Sequence, residues 1–464
     1  MEEDLERATP KIAFQLALQL SACSAIESEK TLNAKDYHLP IKYAVMMDPA
    51  KLLAELVSIP SVNPMGRPRE GAEPPEARLT DYLERLLNRL GIPAVRQTAE
   101  PNRDNLLALI GGPSGDSQRP LILLEAHQDT VPVDGMTIPP FAAEIRQGRL
   151  YGRGACDVKG GMAAMLVAVA RLHGESPKSM PSILLAFTVN EEYGFTGAQA
   201  LAKSWGSAMH AHKSQGVTEG SDSLLRPPKA GSMPQTPARR PDYAIVAEPT
   251  ELQVVVAHKG VVRWRCHARG KAAHSAVPSA GENAIYRMAR ALVAIERYAQ
   301  DLAGTVTSHP LCGPATLSVG TICGGVSVNT VPNACTIEVD RRLVPGESPK
   351  TAQRHLVEYL ERETGLGPVL EHEPPFMVAG ALPDDLNGPL AKRLMAAAAE
   401  AAVRSPLAGV PYGTDAAAYA AAGVPTVVFG PGSIAQAHTA DEWIALEQVE
   451  KAAEIYYRFL KSFC

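Results

Sequence analysis

The sequence has little that would mark a secreted, membrane or nucleic-acid-binding protein. Its seven cysteines are an odd number without a Cys-x-x-Cys pair, which argues against a disulfide framework and favours the reducing cytoplasm. Basic and acidic residues nearly balance, 45 against 50, so no charge excess indicates a nucleic acid or an anionic membrane as a partner. No apolar stretch is long enough to cross a bilayer.

Residues 1–46 are predicted to be an extension that precedes the folded part of the chain. Their apolar run, residues 12–26, follows a mainly acidic segment and is interrupted by Gln15 and Gln19. A secretory signal would instead begin with a basic segment. The folded part is predicted to start with a helix near Pro49, which follows a capping residue, Asp48, and precedes apolar residues at helical spacing.

The chain, at 464 residues, exceeds what one hydrophobic core usually supports, so two domains are expected. Short apolar strands alternate with helices in its first and last parts, and this alternation predicts an α/β layer. The predicted strands include 105–110, 120–125, 182–189, 243–247 and 426–429, and the predicted helices include 78–90, 161–172 and 389–402.

The middle of the chain has a different organisation. Residues 259–370 show the order β-α-β-β-α-β, which is the ferredoxin-like pattern and predicts an inserted α+β domain. The main α/β domain is then split into residues 47–258 and 371–464. Residues 204–240 are rich in Ser, Pro, Gly, Lys and Arg and are predicted to be a surface insertion, in which His210 and His212 are solvated rather than metal-bound.

Polar residues follow several of the predicted strands. The buried strand before His127 ends where open α/β sheets place their ligands. His127 is a candidate cation ligand, and Asp129 is expected to accept its other ring N–H and fix the tautomer. A purely structural histidine at a strand end is the alternative interpretation.

A glycine-rich turn surrounds Asp157 and leads into a helix. A short carboxylate on such a turn can use both oxygens to bridge two cations. A nucleotide-binding loop is the rival interpretation, but the third glycine and the preceding apolar strand are missing. Cys156 has no neighbouring base in the sequence, so packing is favoured over a nucleophilic role.

Glu191 and Glu192 directly follow another strand, and adjacent residues that leave a strand point to opposite sides. One can therefore bind metal while the other faces the attacking water as a general base, although paired glutamates also occur on solvated surfaces. Glu248 and His438 follow later strands at the same sheet edge. This mixture of imidazole and carboxylate, without a thiol pair, is typical of a catalytic rather than a structural metal site.

In this order, the motifs resemble those of the dinuclear zinc aminoacylase and carboxypeptidase family (M20), which includes acetylornithine deacetylase and succinyl-diaminopimelate desuccinylase. The resemblance covers residues 48–464 except the insertion. It implies a zinc-peptidase-like α/β/α catalytic domain with an inserted lid and dimerisation domain. It further implies two Zn ions, or Co or Mn, and these assignments: His127 and Glu248 on one metal, Glu192 and His438 on the other, Asp157 bridging, Asp129 orienting His127, and Glu191 as general base.

The inserted domain carries further residues that match the family pattern. His274, in the loop Gly270-Lys271-Ala272-Ala273-His274-Ser275, would reach the active site of the partner subunit in a homodimer and bind the oxygen that becomes negative. Asn329 and Arg342 match positions that hold the substrate carboxylate, a task that suits the arginine fork. The adjacent Arg341 is the alternative to Arg342.

Several segments resemble acetylornithine deacetylases more than desuccinylases, namely 248–253, 257–260 and 430–438. The resemblance therefore implies hydrolysis of a small N-acyl amino acid, with N-acetylornithine deacetylation in arginine biosynthesis as the expected reaction. Succinyl-diaminopimelate desuccinylase and a metallo-carboxypeptidase or dipeptidase are the nearer alternatives. A catalytically silent binding homologue is the distant one.

Overall fold

The computed structural model describes residues 47–67, 74–111, 119–214 and 239–464. The predicted extension, 1–46, lies outside the described residues. The strands are β1 (Ala94–Glu100), β2 (Arg103–Ile110), β3 (Leu121–His127), β4 (Glu144–Arg146), β5 (Arg149–Tyr151), β6 (Ser182–Thr188), β7 (Tyr243–Val246), β8 (Val254–His258), β9 (Gly260–Arg269), β10 (Ala273–His274), β11 (Thr316–Gly324), β12 (Thr330–Val331), β13 (Ala334–Leu343), β14 (Leu370–His372), β15 (Met377–Ala379), β16 (Leu407–Val410), β17 (Thr426–Val428) and β18 (Trp443–Ala445). The helices are α1 (Pro49–Val57), α2 (Ala77–Arg89), α3 (Gly160–Glu175), α4 (Thr196–Ser214), α5 (Ala284–Thr305), α6 (Pro349–Thr364), α7 (Gly388–Glu400), α8 (Ala416–Ala421) and α9 (Leu446–Lys461).

An eight-stranded sheet with the order β1-β2-β6-β3-β7-β17-β8-β16 forms the centre of the larger part. Helices α1, α2, α3, α7 and α9 share a hydrophobic core with one face of this sheet, and α4 and α8 pack on the other face. Every residue of β3 is buried, as expected for a strand that is covered on both sides. The larger part is thus an α/β/α sandwich, as predicted.

Four neighbouring strands of this sheet, β6, β3, β7 and β17, run parallel to one another. The carboxyl ends of parallel strands lie at the same edge, so the segments that follow these strands meet there. The first helix leads into this layer as expected: the Asp48 carboxylate accepts a hydrogen bond from the Ala50 N–H at 2.9 Å, and Leu53 and Leu56 are fully buried.

A second sheet has the order β11-β13-β9-β14, and β15 also pairs with β9. Helices α5 and α6 cover one face, with a core around Trp264, Ile337 and Leu356. The order β9-α5-β11-β13-α6-β14 is the predicted ferredoxin-like pattern. The domain boundaries stay predictions; the pairing of β15 with β9 carries this sheet beyond residue 370.

The prediction of a surface insertion over 204–240 is wrong at its beginning, because α4 continues to Ser214. Trp205 is buried and packs against Tyr419, with ring centroids 5.8 Å apart. The small and polar residues of this segment hide the helical periodicity. Residues 215–238 lie outside the described residues.

Among the described residues, no helix combines the length and apolar character needed to span a membrane.

Candidate metal centre

The five predicted metal ligands come together at the shared edge of the parallel strands. The ligand atoms of His127, Asp157 and Glu248 lie within 4.8 Å of one another, as do those of Asp157, Glu192 and His438. Asp157 belongs to both groups. The arrangement therefore consists of two adjacent triads joined by one carboxylate.

Each ligand residue reaches this edge from a different segment. His127 is the last residue of β3, while Glu192 and Glu248 follow β6 and β7. His438 lies in the loop after β17, with its main chain in the left-handed region at φ 61°. Asp157 lies in a tight turn between β5 and α3, where Gly154 has φ 81° and a Cβ would lie 2.7 Å from the Thr130 side chain. This turn therefore requires glycine, as predicted.

The two oxygens of Asp157 face different histidines. Oδ1 lies 3.1 Å from His127 Nε2, and Oδ2 lies 3.2 Å from His438 Nε2. His438 Nε2 is also 3.2 Å from Glu192 Oε2. A cation between a histidine nitrogen and a carboxylate oxygen in each triad would share Asp157, so the geometry suits a bridging ligand.

The tautomer of His127 is held in a way that differs from the prediction. Its Nδ1–H donates to the main-chain carbonyl of Asp129 at 2.9 Å, whereas the nearest carboxylate oxygen of Asp129 is 3.7 Å away. The hydrogen bond that orients the ring therefore goes to the main chain of Asp129, with the side chain at a longer distance. The effect on the ring is the same, because Nε2 is left to face Asp157 as a ligand.

The Asp129 carboxylate instead holds the segment that carries the two glutamates. It accepts hydrogen bonds from the main-chain N–H groups of Glu191 and Glu192 at 3.1 and 3.2 Å. The amide of Asn63 donates to it at 2.7 Å and to the Asn190 side chain at 2.9 Å. Asn63 was not singled out by sequence reasoning, since a lone asparagine after a helix carries no motif.

The cluster concentrates acidic groups in a buried place. Burial, strengthened by neighbouring carboxylates, raises the pKa of Glu191 and of Glu248 well above the ordinary value. Burial also raises the pKa of Glu192, again with a carboxylate neighbour adding to the effect. Such a cluster is unfavourable without compensating positive charge.

Protonated histidines are one source of such positive charge. Hydrogen bonds to Asp157 and Glu192 raise the pKa of the half-exposed His438 to about 10. Burial alone would raise the pKa of Asp157, but hydrogen bonds from His127 and His438 outweigh it and hold that pKa below its usual range. The two histidines therefore stabilise the ionised form of Asp157.

The donor atoms present fit two divalent cations. Oxygen and imidazole ligands suit zinc, cobalt and manganese. The Oε1 atom of Glu192 is buried and has no hydrogen-bond partner among the described residues, which a metal ligand would explain. The triads contain three carboxylates, those of Asp157, Glu192 and Glu248, and with the nearby Glu191 the four ionised groups would match the charge of two such ions.

His274 and Asn329 lie together at a separate two-stranded sheet, which β10 and β12 form. The Ser275 N–H donates to the Asn329 carbonyl at 3.0 Å, and β10 pairs with β12 so that His274 is opposite Thr330. The His274 side chain is exposed. Within the described residues, no hydrogen bond or ion pair joins His274 or Asn329 to the five ligand residues.

The two adjacent arginines point to opposite faces of β13. Arg341 is buried and pairs with Glu347. Arg342 is partly exposed, and its Nε donates to the carboxylate of Asp340, on the same strand, at 2.7 Å. Of the two arginines, Arg342 is therefore the one available to a ligand.

The face of the second sheet that carries Arg342 turns towards the metal cluster. Arg342 is the cross-strand partner of Val261, and Val261 packs against Phe195, four residues after Glu191. Tyr193, next to Glu192, stacks on Phe376 with ring centroids 6.3 Å apart. The segment that carries the two glutamates thus contacts the open face of the second sheet.

Comparisons with known proteins agree with this architecture. The model of peptidase family M20/M25/M40 matches residues 123–462. A protein of Myxococcus xanthus named acetylornithine deacetylase is 32% identical over 399 residues, which cover 84% of this chain and 93% of that protein. The M20 family metallo-carboxypeptidase Sso-CP2 of Sulfolobus solfataricus superposes with a TM-score of 0.69 at 18% identity, covering 90% and 99% of the two chains. The Bacillus subtilis YXEP protein, described as a dinuclear metal-binding peptidase of the M20 family, gives 0.57 at 18% identity, covering 89% and 96%.

Proposed function

The chain belongs to peptidase family M20/M25/M40 and is a hydrolase of amide bonds; from that premise we propose that it removes the acetyl group from N-acetylornithine, a step of arginine biosynthesis. The observation that carries the proposal is the pair of triads joined by Asp157. The deacetylase name of the Myxococcus relative supports the choice of substrate.

His127 and Glu248 are proposed to hold one divalent cation, and Glu192 and His438 the other, with Asp157 between them. Zinc is the proposed metal, and cobalt and manganese suit the same ligands. When bound, two such ions lower the pKa of a water molecule and polarise the amide carbonyl. The buried protein groups around them exclude bulk water and hold the ligands in place.

Glu191 is proposed as the general base. Its main-chain N–H is fixed by the Asp129 carboxylate at 3.1 Å, and its side chain is almost fully buried beside the triads. The Glu191 carboxylate takes a proton from the attacking water as the carbon–oxygen bond forms. It then passes this proton to the leaving amine as the carbon–nitrogen bond breaks.

Substrate binding is proposed to involve the second sheet. Arg342 and Asn329 would hold the substrate carboxylate, since the arginine fork pairs with both carboxylate oxygens. His274 would donate a hydrogen bond to the oxygen that becomes negative. Because His274 is exposed and makes no contact with the cluster of its own chain among the described residues, this role needs a second subunit.

A homodimer is therefore part of the proposal. Strand β11 is an edge of the second sheet and is largely exposed. The exposed apolar residues around it include Tyr286, Val293, Ile322, Val326 and Val328. An unpaired edge with apolar neighbours favours association with another chain.

The described cysteines are all free thiols, which supports a cytoplasmic location.

A substrate panel tests the function. The purified, zinc-loaded protein is assayed for amine release from N-acetylornithine, other N-acetyl amino acids, N-succinyl-diaminopimelate and dipeptides. We expect the highest kcat/KM with N-acetylornithine. A higher kcat/KM with the succinyl substrate or with a dipeptide would refute the proposed substrate while leaving the hydrolase class intact.

A further inference from the structure

A buried carboxylate that is not among the proposed ligands organises the turn that carries Asp157. Glu442 lies four residues after His438 and is 0% exposed. Its Oε1 accepts the main-chain N–H groups of Cys156 at 2.8 Å and Asp157 at 3.1 Å. Its Oε2 accepts the main-chain N–H of Gly154 at 3.0 Å and the Arg153 guanidinium at 2.7 Å.

These contacts require the ionised form of Glu442. All four partners are donors, and a protonated acid would direct its O–H at one of them. Hydrogen bonds to an ionised group are about twice as strong as neutral ones. The four hydrogen bonds therefore hold the turn through charge-assisted contacts in a buried environment.

The turn's own main-chain hydrogen bonds, from Ala155 N–H to the Gly152 carbonyl at 3.1 Å and from Lys159 N–H to the Gly154 carbonyl at 2.9 Å, leave the N–H groups of residues 154, 156 and 157 to other acceptors. Asp157 and Val158 have non-helical main-chain angles, with φ −118° and −132°, so the hydrogen-bond ladder of α3 does not extend back through them. The Glu442 carboxylate takes the place of that ladder for the N–H groups of residues 154, 156 and 157. The position of the Asp157 main chain thus depends on Glu442.

The same residue also connects two ligand segments. The Gly152 N–H donates to the main-chain carbonyl of Glu442 at 3.0 Å, so the strand before the turn is tied to the chain that follows His438. Cys156 adds a second contact between the turn and the loop that carries His438, because its Sγ donates to the Ser433 carbonyl at 3.3 Å. Asp157 and His438 are therefore held relative to each other.

We infer that Glu442 is a positioning residue, which acts through the main chain of the Asp157 turn to keep that carboxylate in place between the two triads. The inference rests on the proposed function, in which Asp157 bridges two cations. Groups that orient metal ligands typically change metal affinity or activity by about 10–100-fold when removed.

The alternative is a purely structural ion pair with Arg153. Breaking a buried pair destabilises a protein strongly, but it gives no reason for a change in the metal affinity of the folded chain. Metal affinity and stability therefore separate the two roles.

The test uses the full chain with Glu442→Gln and, as a matched control, Glu447→Gln. Glu447 is exposed and pairs with Lys451 on helix α9, so the control makes the same chemical change away from the turn. Metal-free proteins are titrated with Zn²⁺ in a calorimeter, at a temperature where circular dichroism shows each to be folded. We expect Glu442→Gln to bind Zn²⁺ about 10–100-fold more weakly and to lose kcat with little change in KM, whereas Glu447→Gln behaves as wild type.

A second variant, Glu442→Asp, keeps the charge and the Arg153 contact partner but shortens the side chain. We expect it to fold and to bind Zn²⁺ with an affinity between those of wild type and Glu442→Gln. Wild-type Zn²⁺ affinity in a folded Glu442→Gln protein overturns the inference. Failure of both variants to fold with Zn²⁺ present also overturns it, because Glu442 would then have a purely structural role. If wild type binds two Zn²⁺ but hydrolyses none of the panel, the proposed function fails, and the calorimetric comparison still tests Glu442.

Discussion

Replacing Asn63 with alanine should weaken both the fold and catalysis, because the Asn63 side chain hydrogen-bonds to the Asp129 carboxylate, which holds the segment of the two glutamates. The Asn63 amide donates to the buried Asp129 carboxylate at 2.7 Å and to the Asn190 side chain at 2.9 Å. A hydrogen bond to a charged group contributes about 2 kcal/mol and a neutral one about 1 kcal/mol. The Asn63 Oδ1 also accepts the Met65 N–H at 3.0 Å, so we expect Asn63→Ala to lower the free energy of unfolding by about 4 kcal/mol.

The same change should reach the reaction through Asp129. Asp129 fixes the main-chain N–H groups of Glu191 and Glu192, so a loosened carboxylate misplaces the proposed base and one proposed ligand together. We expect kcat to fall about 10–100-fold, as for other groups that orient ligands. Urea denaturation measures the first effect, and steady-state kinetics on the preferred substrate of the panel measures the second.

The matched control is Asn88→Ala, on the exposed side of helix α2, which should change stability by less than about 0.5 kcal/mol. The reasoning is refuted if Asn63→Ala has the same urea midpoint and the same kcat as wild type. A loss of stability with an unchanged kcat would show that the hydrogen bonds between Asn63 and Asp129 support the fold without positioning the glutamates.

Three other perturbations have defined outcomes. Glu191→Gln should keep the wild-type Zn²⁺ stoichiometry and lose activity by about 10²–10⁴-fold; retained turnover in amine-release assays would contradict its assignment as base. Chelation should lower the melting temperature, because the buried carboxylates around Asp157 lose their counter-charge, and Zn²⁺ at 100 times its Kd should restore about 2.7 kcal/mol per site; an unchanged melting curve would count against metal binding there. Burial lowers the pKa of His258 to about 4, whereas histidine in an unfolded chain titrates near 6.5. The unfolded chain therefore binds one more proton between these values, and the free energy of unfolding should fall by roughly 3 kcal/mol as the pH drops from 6.5 to 4; an equally steep decline in His258→Gln would show that this histidine is not responsible.

The sequence was informative about the cluster because each candidate stands in a short motif, and three of them closely follow strands or end one. His127, Glu192 and Glu248 could be placed at one edge from the strand pattern alone, since parallel strands deliver their carboxyl ends together. The structure brings these residues together with Asp157 and His438. Their role as metal ligands stays a prediction.

The residues that support the cluster could not be found in the same way. Asn63 and Asp129 are 66 positions apart, and Glu442 and Asp157 are 285 apart, so no local pattern links them. The Asp129 side chain was expected to accept the His127 ring N–H, but the Asp129 carbonyl lies nearer to it, at 2.9 Å against 3.7 Å for the carboxylate, and sequence spacing does not distinguish the two acceptors. The sequence also did not show which of the two adjacent arginines faces outward. The structure does, because Arg341 is buried beside Glu347.

The two triads are completed at very different times during synthesis. The first has all its members once the ribosome has made Glu248, but the second needs His438, and the whole five-stranded sheet lies between these residues in the chain. Under the proposed assignment, a nascent polypeptide lacks a ligand of the second ion until His438 has been made, and the turn that carries Asp157 lacks its Glu442 contacts until four residues later. Under that assignment, translation products that stop before residue 438 are expected to lack hydrolase activity.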